Sequence, residues 1–160
     1  PILLKNDLQS MYPKRFVDAS SEKVIIGGMT KVLECYYDSG KYLAGKSTVV
    51  ILDSSINLKY LTGLLNSKLL SFFYRTYFNS LSLAGGFLRI GAPQIKQLPI
   101  AIGCDTDIQK ISDMVDTILE TKYSVLTADT SALETEIDRM VYKLYGLTED
   151  EIKIVEESAK

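Results

Sequence analysis

The sequence predicts an α+β fold, in which a mixed β-sheet packs on a long buried helix. A C-terminal antiparallel helical hairpin and a short last helix are expected to follow. Three observations support this prediction. Runs rich in Val, Ile and Tyr fill residues 23–52, an apolar helical run covers residues 57–78, and residues 104–158 carry apolar side chains at helical spacing. The chain has 160 residues, of which 46% are hydrophobic, and this suits one domain with a sizeable core.

The first half of the chain predicts β-strands after an irregular start. Residues 1–22 carry weak signals and are expected to form a linker or edge segment. From Lys23 the chain is rich in Val, Ile and Tyr, and Gly27-Gly28 marks a turn or bulge. The run STVVIL at 47–52 predicts a strand buried on both faces. Asp53-Ser54-Ser55 then provides turn and cap residues for the helix that follows.

The helical run NLKYLTGLLNSKLLSFFYRTYF, at 57–78, is apolar on nearly every face, so we expect it to be buried in the core. Charged and amide side chains interrupt each window of about 20 residues, which argues against a membrane span. A glycine loop, a short strand and the sequence APQIKQLPI follow. Residues 23–103 are therefore expected to form one α/β unit that presents this loop and strand at a working surface.

Residues 104–160 are expected to form a helical support region. Apolar residues at helical spacing predict two helices separated by a turn at 127–130. The sequences S-x-x-E at 131–134 and T-x-x-E at 148–151 match helix capping boxes. Gly146 is placed to end the second helix. These signals predict an antiparallel hairpin and a short last helix.

Charge is distributed unevenly along the chain, although the net charge is only −2. Residues 1–103 contain twelve Lys or Arg and six Asp or Glu, whereas residues 104–160 contain six and fourteen. This asymmetry favours a basic working portion joined to an acidic structural portion. The alternative, that acidic helices merely stand at the C-terminal end, remains open until the cations are shown to cluster.

Gly40–Ser47 matches the pattern G-x-x-x-x-G-K-[ST] of phosphate-binding loops. Such a loop must open a helix, because helix N-terminal amides bind the phosphates, and here it runs into a predicted strand. We therefore expect no nucleotide site. The favoured interpretation is a hairpin loop from which Lys41 and Lys46 project together toward DNA phosphates.

The sequence offers no catalytic or metal-binding constellation. Histidine is absent, which removes the commonest general base and zinc ligand. Acidic pairs fall in helix caps or on solvated helix faces, and we expect no cofactor or metal in this chain. Cys35 and Cys104 form no CxxC pair and are expected to be reduced core thiols of a cytoplasmic protein.

Polar residues near the short strand are candidates for DNA base recognition. Arg89 alternates with Leu88 and Ile90, so it should face away from the core if this segment is a strand. Arg and Gln suit bidentate contacts with guanine and adenine edges, which makes Arg89 and Gln94 candidates; Lys96 suits phosphate. For any one of these residues, a solvated strand edge protected by charge is an equally open interpretation.

Two segments resemble a known family. LTGLLNSKLLSFFYR, followed by a glycine loop, a short strand and IKQLPI, resembles the signature of restriction–modification target-recognition domains. TEIDRMVYKLYGLTEDEIKIVEE, at 135–157, resembles the ending of the same group. Over residues 13–158 the chain is similar to the C-terminal specificity domain of TaqI-like, type IIG restriction–methyltransferases. Specificity subunits of type I systems are its relatives.

The resemblance implies sequence-specific recognition of double-stranded DNA in a bacterial restriction–modification system. It further implies an adenine-type DNA methyltransferase, with or without an endonuclease, in domains expected before Pro1 of the same polypeptide. S-adenosylmethionine, and Mg²⁺ for a nuclease, are expected only in those domains, so this chain is expected not to be an enzyme by itself. The expected backbone contacts are Lys14, Arg15, Lys31, Lys41, Lys46, Arg75 and Lys96, and the expected base contacts are Arg89 and Gln94.

A protein-interaction module is the competing interpretation. The helices expected at 107–127 and 132–145 carry heptad-like apolar residues that suit dimerisation or docking. Clustering of the cations on one concave face would favour DNA, whereas an exposed apolar stripe on these helices would favour a protein partner or a homo-oligomer.

Overall fold

The computed structural model describes residues 5–159, and these residues confirm the predicted α+β class. The strands are β1 (Lys23–Gly27), β2 (Met29–Thr30), β3 (Cys35–Asp38), β4 (Thr48–Ile51) and β5 (Leu88–Arg89). The helices are α1 (Lys5–Met11), α2 (Pro13–Ser20), α3 (Leu58–Asn66), α4 (Lys68–Tyr77), α5 (Ala92–Ile95), α6 (Asp105–Ser124), α7 (Ser131–Leu144) and α8 (Glu149–Ser158). Two 3-10 turns, Asn79–Leu81 and Ala84–Gly86, lie before β5.

The larger sheet has three strands in the order β3-β1-β4, and a two-stranded ribbon pairs β2 with β5. Every pairing among the described strands is antiparallel, so the expected mixed sheet is wrong. β1 occupies the centre because it pairs with both β3 and β4, and its Val24 and Ile26 side chains are fully buried. β4 is an edge strand whose four residues are only half-buried, so the prediction of burial on both faces is also wrong.

The segment 39–47 is a crossover between two strands that do not pair. β3 ends at Asp38, opposite the start of β1 at Lys23, whereas β4 begins at Thr48, opposite the end of β1. The crossover must therefore span the length of β1, roughly 13 Å at about 3.3 Å per residue. The expected hairpin loop is wrong, because β1 lies between the strands that it would have joined.

The long helical run is divided into α3 and α4 at Ser67, so the prediction of one continuous helix is wrong. Ser67 is extended (φ −65°, ψ 151°), and its hydroxyl oxygen accepts a hydrogen bond from the Leu70 amide, which caps α4. α3 is capped by Asn57, whose side chain accepts from the Lys59 and Tyr60 amides, instead of by residues 53–55. Among residues 5–159, no helix is long and apolar enough to cross a membrane.

α3 forms the centre of the core, as its apolar surface predicts. Residues 60–65 are all buried, and the helix packs against β1 and β3 on one side and α6 and α7 on the other. Gly63 permits the close approach of α6, since a Cβ atom there would lie 2.5 Å from Cγ2 of Ile111. The core helix thus connects the sheet to the C-terminal helices.

The C-terminal hairpin and short last helix form as predicted, with one difference in capping. The expected box at 131–134 is not formed; the Thr130 hydroxyl donates to the Glu134 carboxylate instead (2.6 Å). The box at 148–151 is present. Gly146 has φ 68° and follows the last residues of α7, as predicted for a helix end.

The first part of the chain contains two short helices, α1 and α2, where the sequence predicted only a linker or edge segment. α2 begins with Pro13, a residue suited to the first turn of a helix. Its C-terminal end is held by the buried Lys23 side chain of β1, which donates to the Ala19 and Ser21 carbonyls. The division at residues 22 and 103 stays a prediction.

Candidate nucleic-acid interface

Gly28 joins the crossover to the β2–β5 ribbon. Its amide donates to the Ser47 carbonyl (2.9 Å), and its carbonyl accepts from the Ile90 amide (3.0 Å). A Cβ atom at this position would lie 2.5 Å from the Ser47 oxygen, so only glycine fits. The residues that flank these two bonds, Lys46 and Arg89, are therefore brought into one region from distant parts of the sequence.

The β2–β5 ribbon presents Arg89 on its outer side. Leu88 and Ile90 are 1% and 5% exposed, whereas Arg89 between them is exposed, which confirms the predicted alternation. The Arg89 carbonyl accepts a hydrogen bond from the Tyr74 hydroxyl of α4 (2.8 Å). The backbone of Arg89 is thus held against the core while its guanidinium faces solvent.

Arg15 of α2 and Lys46 of the crossover line the same open cavity of about 400 Å³. The cavity lies between α2, the crossover and β4, and Leu43 and Val50 contribute apolar wall. Both cations are exposed, and the guanidinium carbon of Arg15 lies 5.9 Å from the centre of the Tyr12 ring. The arrangement places two exposed positive side chains beside a concave surface, where phosphate oxygens can be bound.

A buried ion pair between Lys23 and Asp38 adjoins this cavity, which Lys23 helps to line. Both side chains are 1% exposed. The Lys23 ammonium also donates to the carbonyls of Ala19 (2.8 Å) and Ser21 (3.0 Å) at the end of α2, and the Asp38 carboxylate accepts from the backbone amide of Lys41 (2.9 Å). The pair therefore fixes α2 and the start of the crossover relative to the sheet.

The pKa of Asp38 is lowered from its ordinary value by this network. Burial alone would raise the pKa, but the hydrogen bond from Lys23 and those from the amides of Lys41 and Tyr42 outweigh it. Sequence reasoning missed the pair because both residues resembled ordinary exposed charges. Their pairing depends on the strand register, which places Lys23 directly opposite Asp38.

Lys31 and Lys41 lie against different aromatic rings. The Lys31 ammonium is 5.7 Å from the centre of the Phe87 ring, which precedes β5, so Lys31 adjoins the ribbon. The Lys41 ammonium is 5.4 Å from the centre of the Tyr123 ring near the end of α6. Lys31 thus lies near Arg89, whereas Lys41 is directed toward the helical hairpin.

Arg75 is engaged by the protein itself. Its guanidinium donates to the carbonyls of Ser158 (2.8 Å) and Lys31 (3.1 Å), and the residue is half-buried. These bonds connect α4 to the end of α8 and to the segment after β2. This geometry gives Arg75 a structural role, and a DNA contact by Arg75 stays a prediction.

The other three candidates lie at the margins of this region. Lys14 is exposed beside Arg15 on α2, and Lys96 is exposed at the end of α5. Gln94 is half-buried, and its side-chain oxygen lies only 2.6 Å from the point that a Cβ atom on Gly91 would occupy. The amide of Gln94 is therefore folded back over Gly91 instead of extended into solvent.

Among residues 5–159, no group of three or more His, Cys, Asp or Glu side chains is arranged to hold a metal ion. Cys35 and Cys104 form no disulfide. Cys104 is exposed at the start of α6, so the expected core position is wrong for this thiol. Cys35 is half-buried, and burial raises the pKa of its thiol, which keeps it protonated near neutral pH.

Comparison with known proteins identifies the family. Residues 3–100 match the family model of the TaqI-like C-terminal specificity domain, which is more than half of the chain. The chain belongs to this family. No curated protein sequence matches it. A TaqI-like specificity domain provides sequence-specific DNA recognition in restriction–modification enzymes and is not itself catalytic. The family assignment made from the LLNSKL segment is confirmed, whereas the likeness of 135–157 lies beyond the matched residues and stays a prediction.

The LLNSKL segment of this specificity domain has a structural role. The Asn66 side chain accepts from the Cys35 amide and donates to the Cys35 carbonyl, both at 2.8 Å, and thus caps the edge of β3. Ser67 ends α3 and begins α4, and the amide of Lys68 donates to the Asp138 carboxylate of α7 (2.8 Å). The segment therefore joins sheet, core helix and C-terminal helices.

A half-buried polar cluster completes the joint between the specificity domain's matched residues and the C-terminal helices. The Lys68 ammonium lies 2.7 Å from Glu156 and 3.5 Å from Asp138, and the Tyr142 hydroxyl donates to Glu156 (2.7 Å). Burial raises the pKa of Asp138, although bonds from Lys68 oppose this. Asp138, at 6% exposure, was not identified from the sequence.

Proposed function

We propose that this specificity domain selects a duplex DNA site for an adenine-type DNA methyltransferase, with or without an endonuclease, within one polypeptide. The family supports the DNA-recognition part of this proposal. S-adenosylmethionine, and Mg²⁺ for a nuclease, would act in the other domains, and this chain would supply only site selection.

We assign DNA contact to a cationic surface formed by Arg15, Lys31, Lys46 and Arg89. The observation that carries this assignment is the pair of backbone bonds at Gly28, which brings the loop of Lys46 beside the strand of Arg89. Arg15 shares a cavity with Lys46, and Lys31 lies against Phe87 at the end of the same ribbon. The four cations thus lie on neighbouring parts of the fold: α2, the crossover, the end of β2, and β5.

Different members of this surface have different roles. Arg15 and Lys46 suit phosphates, which fix the register and orientation of the domain on the duplex. Arg89 suits a guanine edge, because a two-stranded ribbon fits the major groove and arginine bonds O6 and N7 of guanine. Lys14, Gln94 and Lys96 flank the surface and remain candidates for additional contacts, as do Lys41 and Arg75.

The salt dependence of binding tests the phosphate contacts. We expect the Arg15→Ala/Lys46→Ala variant to flatten the plot of log affinity against log salt by nearly 2, since each lost phosphate contact removes about 0.9. Affinity should be measured for the full-length protein over a salt series, by fluorescence anisotropy with labelled duplexes. The matched control is Lys153→Ala, because Lys153 is exposed on α8 and its ion pair lies within that helix.

Site choice tests the base contact. Arg89→Ala should relax selection at one base pair of a randomised duplex library and leave the salt slope nearly unchanged. The assignment of this surface fails if the double variant keeps the wild-type slope, or if Arg89→Ala selects the same sequences as the wild type. It also fails if Lys153→Ala weakens binding as much as the double variant does.

A protein contact is the second candidate function, and the hairpin tip favours it. Tyr123, Val125 and Leu126 are 82%, 56% and 83% exposed around the end of α6. The apolar stripe of α6, in contrast, packs against α3 and α7 within the chain. If the chain forms a homo-oligomer through this tip, Leu126→Ser should lower the mass measured by light scattering. Equal masses for the wild type and Leu126→Ser would exclude such an oligomer.

A further inference from the structure

We infer that Met29 is a specificity-determining residue whose thioether contacts the C5 methyl of a pyrimidine in the major groove. The pyrimidine, thymine or 5-methylcytosine, lies one or two base steps from the guanine that Arg89 contacts. This inference rests on the proposed function, because it assumes that the β2–β5 ribbon enters the groove. It adds a second base contact of opposite chemistry to that of Arg89.

The register of the ribbon places Met29 beside Arg89. The two residues are direct antiparallel partners, as are Thr30 and Leu88. Leu88 is 1% exposed and faces the core, whereas Met29 is 59% exposed and Arg89 is exposed. The pair Met29–Arg89 is therefore the one that the ribbon presents to solvent.

The ribbon is held firmly enough to present this pair in a fixed position. Below it, Leu88 and Ile90 are buried, and the Tyr74 hydroxyl binds the Arg89 carbonyl at 2.8 Å. Beside it, Gly28 connects β2 by backbone bonds to Ile90 and to the crossover. Because the backbone is already fixed, contact with a ligand costs only the side-chain freedom of Met29 and no ordering of the main chain.

The geometry of a β-ribbon sets the spacing between the two recognised bases. Directly opposite residues of an antiparallel pair have Cβ atoms about 4.5–5.5 Å apart. Successive bases along one strand of DNA are about 3.4 Å apart. Side chains that leave Met29 and Arg89 in the same direction therefore reach bases one or two steps apart.

Methionine suits contact with a methyl group, because its side chain is apolar. It does not suit recognition of a base edge through hydrogen bonds. Its thioether is apolar, flexible and polarisable, so it can pack on a pyrimidine methyl from a range of angles. In the major groove the thymine methyl is the apolar feature of the A·T pair, and small apolar side chains contact it in known complexes. Arg89 has only donors, so the two residues distinguish different bases.

Single-atom changes in the DNA test this inference. The full-length protein is first used to select its preferred site from a randomised duplex library. Each thymine of that site is then replaced by uracil, which removes only the C5 methyl, and each guanine by 7-deazaguanine, which removes the N7 acceptor. A parallel series replaces each cytosine by 5-methylcytosine. Affinities are measured for the wild type, Met29→Ala and Arg89→Ala.

We expect one thymine-to-uracil change to weaken wild-type binding about fourfold, the effect of one buried methyl-sized group. That change should have no effect on Met29→Ala, and Met29→Leu should keep most of the wild-type discrimination. If 5-methylcytosine is the natural feature, one cytosine methylation strengthens wild-type binding and leaves Met29→Ala unaffected. In either case the pyrimidine lies one or two steps from one particular guanine. That guanine is the one whose replacement by 7-deazaguanine weakens binding by the wild type but not by Arg89→Ala.

The inference is overturned if the wild type and Met29→Ala respond equally to every uracil and 5-methylcytosine change. It is also overturned if the Met29-dependent base lies three or more steps from the Arg89-dependent guanine. Failure of the proposed function gives a different result, since Arg89→Ala and Arg15→Ala/Lys46→Ala would then bind and select DNA as the wild type does.

Discussion

Substitution of Lys23 by methionine would leave the Asp38 carboxylate buried without its cation. Each side chain is 1% exposed, and the Lys23 ammonium also satisfies two carbonyls at the end of α2. Removal of one partner from a buried ion pair costs about 3–5 kcal/mol, because the remaining charge stays uncompensated. This is a large share of the roughly 5–15 kcal/mol that stabilises a typical domain.

The expected loss is measurable by urea and thermal unfolding at pH 7. For a domain of this size, each kcal/mol lowers Tm by roughly 2–4 °C, so Lys23→Met should lower it by about 6–20 °C. Lys153→Met is the matched control, since the Lys153 and Asp150 side chains are 69% and 90% exposed and their pair should contribute nothing measurable. Lys23→Met/Asp38→Asn should be more stable than the two single effects predict, because it removes both charges.

The pH dependence provides a second measurement of the same pair. The pKa of Asp38 is lower in the folded than in the unfolded protein, so protonation favours unfolding. The stabilisation is therefore fully present above the unfolded pKa, near 3.8, and is lost as pH falls below it. In Asp38→Asn this part of the acid-induced loss should be absent. A cost below about 1 kcal/mol for Lys23→Met, with additive single effects, would refute the reasoning.

Three further substitutions test close packing and positioning: Gly28 and Tyr74 position the cationic surface, whereas Gly63 lies in the core. Gly28→Ala should cost about 1–3 kcal/mol in urea unfolding and weaken DNA binding, because its methyl would lie 2.5 Å from the Ser47 carbonyl oxygen; unchanged binding would contradict this. Gly63→Ala should lower the free energy of unfolding by about 1–2 kcal/mol, because the added methyl group overpacks against α6. Its folded fraction should bind DNA as the wild type does. A variant more stable than the wild type would refute this prediction. Tyr74→Phe should lower the free energy of unfolding by about 1 kcal/mol, because it removes the hydrogen bond to the Arg89 carbonyl. It should also relax guanine selection by Arg89 without changing the salt slope. Unaltered selection would show that the Tyr74 hydroxyl does not position the ribbon.

Local periodicity predicted what depends on neighbouring residues alone. The outward direction of Arg89 follows from alternation in a strand, and the burial of α3 follows from its apolar surface. The capping box at 148–151 was predicted because its partners are three residues apart. These features need no knowledge of the rest of the chain.

Features that depend on distant residues could not be predicted in this way. The apolar pattern continues through Ser67, where the helix breaks and Ser67 caps α4. The Lys68 amide finds its partner in Asp138, which lies 70 residues further along the chain. The sequence between β3 and β4 predicts a hairpin, but the order of the strands in the sheet determines which strands pair. The Lys23–Asp38 pair likewise depends on register, so composition and spacing gave no sign of it.

The segment between α4 and β5 has a consequence for where the chain tolerates change. Residues 79–87 are exposed except for Leu81, and a Cβ atom on Gly86 would meet nothing within 4 Å. The segment starts at the end of a core helix and finishes where Leu88 anchors the ribbon, so both of its ends are secured by the scaffold. Changes of length or sequence within this segment should therefore leave the hydrophobic core undisturbed.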